Sequence, residues 1–136
     1  MNTGTRYVLD AYALLSFFQN EPGADAVREL LLHAGKGEIS LVMSVTNLGE
    51  VWYSVARDHS PDVADHYVQI VSGLSIVIVD ANWDLTRCAA EYKMAGNISY
   101  ADCFAAALAK IQNGILVTGD KEFKKLEGEV EILWLS

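Results

Sequence analysis

Aspartates stand where short β-branched runs end. Asp10 follows "RYVL" (6–9), Asp80 follows "SIVIV" (75–79), and Asp120 closes "ILVTGD" (115–120). Asp102 sits one turn inside the apolar segment "ISYADCFAAALA" (98–109), behind Ser99. Glu50 lies in "NLGEVWYSVAR" (47–57). Gathered in one place, such carboxylates hold a cation, which supplies the positive charge that phosphate chemistry needs. Scattered, each is an ordinary helix cap. Asp102 has the cap reading too, as a capping box Ser99-x-x-Asp102 with Asp where Glu or Gln is usual. Glu50 has a plainer one. Leu48, Val51, Trp52 and Val55 form the apolar face of its helix, and at 100° per residue Glu50 points roughly opposite, toward solvent.

The elements that must position these acids alternate along the chain. Strands are expected at 6–9, 39–43, 75–79, 114–118 and 130–135. Helices are expected near 11–20, 24–35, 46–59, 62–73, 82–95, 99–112 and 120–126. Nearly all-apolar strands separated by helices indicate a parallel sheet covered on both faces, a three-layer α/β/α domain. Ligands of such sheets bind at the carboxyl ends of the strands, near the point where strand order reverses. Three of the five strands end on an aspartate at that edge.

Composition narrows the classes. A chain of 136 residues is expected to form a single domain, 1–136. Eighteen acidic against ten basic residues give a net charge of −8, which weighs against nucleic-acid binding by a basic surface. No apolar run approaches the roughly 20 residues that span a bilayer, and the opening "MNTGTRYVLD" does not read as a signal peptide. A cytoplasmic location is the expectation. Cys88 and Cys103 lack metal-type spacing and are expected to be reduced, buried thiols.

The segments "VLDAYALL", "NLGEVWYSVAR", "ISYADCFAAALA" and "LVTGDKEF", in this order and at these separations, resemble the PIN-domain family, and more narrowly the toxins of VapBC toxin–antitoxin modules. The resemblance covers essentially the whole chain. It implies strand order 3-2-1-4-5, which sets the ends of the first and fourth strands side by side. Asp10 and Asp120 then converge, and Asp80 is left remote as a helix cap. The family's acidic quartet falls on Asp10, Glu50, Asp102 and Asp120. Thr118 matches a hydroxyl residue expected to orient a ligand from behind, and Glu122 matches an additional acid found in some relatives. Many relatives carry Ser or Thr where this chain has Ala11.

On that reading the four acids bind Mg²⁺ or Mn²⁺, because all-oxygen ligation without His or Cys selects a hard ion. His33, His59 and His66 lie outside the acidic segments. The implied activity is metal-dependent endoribonuclease cleavage leaving 5′-phosphate and 3′-hydroxyl ends. The implied partners are an RNA substrate, a cognate antitoxin and a second copy in a homodimer. Lys93, Lys121, Lys124 and Lys125 are candidates to contact phosphates. Tyr53, Tyr100 and Trp52 are candidates to stack bases or line the dimer, with core packing favoured for Trp52. Two other classes stay open. A receiver-like phosphoacceptor domain would need Asp80 as its modified residue. A catalytically silent PIN-like module would bind RNA or protein without consuming either.

Overall fold

The structure, a computed structural model, describes residues 4–135. Five strands, β1 (Arg6–Leu9), β2 (Ser40–Ser44), β3 (Val77–Val79), β4 (Ile115–Thr118) and β5 (Ile132–Trp134), form one sheet in the order β3-β2-β1-β4-β5. Every pairing is parallel. The two edge strands are shorter than the sequence suggests. An edge strand gains ladder bonds on one side only, so its ends detach first.

Side chains alternate across the sheet and build two cores. Val8, Val42 and Leu116 pack on one face with Leu85, Ala89, Phe104 and Leu108. These come from α5 (Trp83–Ala95) and α6 (Tyr100–Gln112). Leu9, Leu41, Met43 and Val117 pack on the other face with Leu14, Val27, Val51 and Ala64. Those residues belong to α1 (Ala11–Phe18), α2 (Ala24–Gly35), α3 (Val45–Asp58) and α4 (Pro61–Ser72). The result is the three-layer α/β/α arrangement with strand order 3-2-1-4-5.

Capping explains the helix starts. Ser99 Oγ accepts from Asp102 N at 3.1 Å, so the "IS" pair opens α6 where the sequence indicates. Ser60 caps α4, with Pro61 in the first turn where its missing N–H costs nothing. The segment 121–126 is a 3₁₀ helix rather than an α-helix. One expectation fails here. Asp80 does not cap α5; Asn82 does, accepting from Leu85 N at 2.9 Å. Two residues separate Asp80 from the first helical residue, and a cap must stand next to it. Asp80 is exposed.

Candidate active site

Sheet order decides which acids meet. β1 lies between β2 and β4, so the residues after β1 and β4 are neighbours, with Asp10 N donating to Val117 O at 3.4 Å. Asp80 follows β3, two strands away from β1 at the sheet edge. Helices α3 and α6 pack against each other, and α3 also packs against α1. These contacts close a pocket of about 240 Å³ at the carboxyl edge, lined by Asp10, Glu50, Asp102 and Asp120.

Asp10 is at once a cap and a pocket residue. Its Oδ1 accepts from Ala13 N at 2.8 Å, and its Oδ2 accepts from the Thr118 hydroxyl at 2.5 Å. Thr118 is fully buried, and its oxygen also accepts from Asp120 N at 3.0 Å. One hydroxyl therefore ties the ends of β1 and β4 together. Asp120 caps the 3₁₀ helix through Glu122 N at 3.0 Å. Asp102 forms only half of a capping box: Ser99 caps its N–H, while its carboxylate, on a residue 7% exposed, lines the pocket.

Glu50 corrects the periodicity argument. It is half-buried and faces the other acids. The stripe opposite the apolar face of α3 borders the cleft between α1 and α6, so the side of the helix that avoids the core meets the pocket wall. Asn47, which the sequence analysis missed, holds Glu50 in place. Its Nδ2 donates to Glu50 Oε1 at 3.3 Å and to Ala101 O at 3.0 Å, strapping α3 to the start of α6. The readable signal was an Asn three residues before the Glu, the spacing at which helical side chains meet.

Crowding leaves its mark on proton affinity. Burial, opposed by the bonds from Thr118 and Ala13, pushes Asp10 up to about 7, and the charges of Glu50 and Asp120 add to the rise. Burial, then the charges of Asp120, Asp10 and Glu50, pushes Asp102 up to about 8. Glu50 is also raised, by burial against the Asn47 bond. Carboxylates that resist ionisation so strongly make a place where a cation is stabilising. Oxygens of Asp102, Asp120 and Glu122 lie within 4.8 Å of one another, a group that can surround one ion. The donors are all oxygen, and no His or Cys lines the pocket, so the set fits a hard ion.

The histidines are exposed and none lines the pocket; Cys103 is buried and Cys88 half-buried, both free thiols. Trp52 packs against the core and donates Nε1 to Asp65 at 2.8 Å, as favoured for it. Tyr100 stacks edge-on against Phe104 and does not line the pocket. Lys93 donates to Ile98 O at 2.9 Å and Lys125 to Asn97 O at 3.3 Å, so both fasten the loop leading into α6. None of the four lysines lines the pocket; Arg57 does. Among the described residues no helix is long and apolar enough to cross a membrane.

The sequence profile of the PIN domain matches residues 7–129. The chain belongs to the PIN domain family. Comparison with curated proteins finds no match. Solved structures share the fold at low identity. The VapBC2 complex of Rickettsia felis, bound to a DNA fragment from its promoter, superposes with a TM-score of 0.74 at 19% identity, covering 97% of this chain and 100% of the other. VapBC-1 of nontypeable Haemophilus influenzae gives 0.71 at 17%, covering 96% and 98%. VapC20 of Mycobacterium tuberculosis, described as a sarcin–ricin loop cleaving toxin, gives 0.68 at 14%, covering 89% and 94%. In this PIN domain the receiver-like alternative loses its footing, because Asp80, the residue it needs, stands outside the acidic pocket.

Proposed function

We propose that this PIN domain is a Mg²⁺- or Mn²⁺-dependent endoribonuclease, the toxin of a VapBC-type pair, acting in the cytoplasm as a homodimer restrained by a cognate antitoxin. The observation that carries the reading is the convergence of Asp10, Glu50, Asp102 and Asp120 from four separate elements on one small pocket. Further support comes from the folds it shares with VapBC complexes and with a toxin that cleaves the sarcin–ricin loop.

Asp102 and Asp120 would hold the ion, with Glu122 completing the group. Asp10 contributes negative charge, and each of its oxygens keeps a second lone pair beyond the bonds from Ala13 and Thr118. An ion held there would supply Lewis acidity toward a phosphodiester and its attacking water. Glu50, steered by Asn47 and with a raised proton affinity, orients that water and takes its proton. The hydroxide oxygen adds to phosphorus, the bond from phosphorus to the 3′ oxygen breaks, and that oxygen takes a proton from solvent water while Glu50 returns its own to solvent. The products carry 5′-phosphate and 3′-hydroxyl ends.

The test is incubation of the purified chain with defined RNAs in EDTA, Mg²⁺ or Mn²⁺, beside Asp120→Asn. Cleavage that needs the ion and vanishes in the variant is expected, with a rise in melting temperature on adding the ion, since it binds only the native state. Absence of cleavage together with no thermal shift at tens of millimolar of either ion would overturn the proposal. Ion-dependent stabilisation and RNA binding without cleavage would favour the silent binding module instead.

A further inference from the structure

The four acids of the pocket are not held equally. Glu50 and Asp102 lie inside α3 and α6, and Asp10 caps α1. Asp120 stands outside any regular element, between β4 and the 3₁₀ helix at 121–126. Hydrogen-bond geometry in a 3₁₀ helix is poorer than in an α-helix, so the segment after Asp120 anchors it less firmly. Its own hydrogen bonds stay local. The N–H donates to Thr118 Oγ1 at 3.0 Å, Oδ1 accepts from Glu122 N at 3.0 Å, and the carbonyl accepts from Phe123 N at 3.1 Å. No partner is more than three residues away, so these bonds shape the turn without pressing it against the pocket.

Tyr12 supplies a contact from another element. It lies in the first turn of α1, two residues after Asp10, and lines the pocket. A Cβ on Gly119 would lie 2.6 Å from Tyr12 Cζ and 2.9 Å from its hydroxyl oxygen, so the ring end fills the space where a side chain at 119 would begin. Gly119 does not have a positive φ, so its backbone does not need glycine; the approaching ring does. Tyr12 is 42% exposed and belongs to neither core. What it rests on is the turn that carries Asp120. The buried Thr118 hydroxyl ties the ends of β1 and β4 from inside, and Tyr12 meets the same turn from the pocket side.

We infer that Tyr12, seated on Gly119, is a positioning residue that holds Asp120 in place within the acidic group. Its consequence for a cation rests on the nuclease reading above; the contact itself does not. Asp102 carries its carboxylate on a helix, whereas Asp120 carries its own on a turn. Their oxygens and that of Glu122 lie within 4.8 Å of one another, and a shift of the turn opens that group. Ligand groups keep a productive geometry to within about 0.5 Å only when packing locks them. Loss of a contact that orients a metal ligand costs roughly 10- to 100-fold in ion affinity. The two nearest atoms to the Gly119 Cβ position are ring carbons, so phenylalanine at position 12 should serve as well as tyrosine.

The test compares Tyr12→Phe, Tyr12→Ala, Gly119→Ala and the double variant Tyr12→Ala/Gly119→Ala, all without RNA, so that any contact between ring and substrate plays no part. Mn²⁺ affinity is read from the dependence of melting temperature on Mn²⁺ concentration. Order in the turn is read from hydrogen exchange of the Asp120 amide, followed by NMR in EDTA. Tyr12→Phe should match the parent in both. Tyr12→Ala deletes the ring, and Gly119→Ala evicts it, since a ring at the pocket mouth can swing outward. Each should bind Mn²⁺ roughly 10- to 100-fold more weakly and exchange the Asp120 amide faster. The double variant should be no worse than Tyr12→Ala, because both changes break one contact. Mn²⁺ affinity at the parent's value in Tyr12→Ala would overturn the inference, and so would losses that add in the double variant. If Tyr12→Ala does not fold, Gly119→Ala, which deletes no packing atom, decides alone. A parent that gains no stability from Mn²⁺ would overturn the nuclease reading instead. The hold on Asp120 is then judged by exchange: faster rates in both single variants sustain it, and rates equal to the parent's refute it.

Discussion

Replacing Thr118 with valine removes one hydroxyl and keeps the shape of the side chain. That hydroxyl donates to Asp10 Oδ2 and accepts from Asp120 N, and it is fully buried. A hydrogen bond to a charged acceptor contributes about 1.5–3 kcal/mol, and a neutral one about 0.5–1.5 kcal/mol. Water cannot replace either partner at a residue with no exposure, so Thr118→Val should destabilise the metal-free protein by about 2–4 kcal/mol at pH 8. For a domain of this size that is roughly 6–15 °C in melting temperature. The Thr118 bond holds the Asp10 proton affinity down, so its removal raises that affinity further. The loss should therefore shrink at pH 5.5, where Asp10 is already protonated. Thr118→Ser is the control. It keeps both bonds and gives up one buried methyl group, about 1 kcal/mol at either pH. Urea unfolding of the three proteins at both pH values, in EDTA, reads the difference. A valine variant no less stable than the serine variant at pH 8 would refute the reasoning, because the hydroxyl would then carry no weight at the junction of β1 and β4.

Acidification should stabilise the metal-free parent. Asp10 and Asp102 bind protons more tightly folded than unfolded, so stability is fully present below about pH 4, where the unfolded chain also holds its protons, and is lost as pH rises through 7 to 8. For Asp10 alone the effect is at most about 4 kcal/mol at 1.36 kcal/mol per unit, and saturating Mg²⁺ should flatten the profile; a metal-free melting temperature that rises from pH 5.5 to 8 would contradict it. Asp102→Asn should leave the metal-free protein as stable as the parent or more so, weaken the metal-induced shift and abolish cleavage. Ser99→Ala should do the reverse, costing about 1 kcal/mol with activity retained, as thermal melts and an RNA assay would show. Asn82→Ala should cost about 0.5–2 kcal/mol as a lost cap, while Asp80→Ala stays within about 0.5 kcal/mol and cleaves normally; an essential Asp80 would move the site elsewhere.

Much of this protein was legible in its sequence because the deciding forces are local. Alternation of β-branched runs with longer helical patterns identifies a covered parallel sheet, and Ser99 opens α6 because a hydroxyl next to the first helical residue satisfies a free N–H. The order of four acidic segments was enough to mark the family. Local pattern could not say which strand-end aspartates meet. Asp10, Asp80 and Asp120 look alike in sequence, and only the placement of β1 between β2 and β4 joins the first to the third and strands the second at the edge. Helical periodicity was equally silent about Glu50. It separates the side of α3 that enters the core from the side that does not, but bulk water and a cleft wall impose the same polar pattern on that second side. The packing of α3 against α1 and α6 made it a wall, and so turned Glu50, Tyr53 and Arg57 toward one pocket. The contact between Tyr12 and Gly119 spans more than a hundred residues of chain and exists because β1 and β4 pair. Contacts of that kind are set by which segments lie side by side in three dimensions, and no window of local sequence contains them.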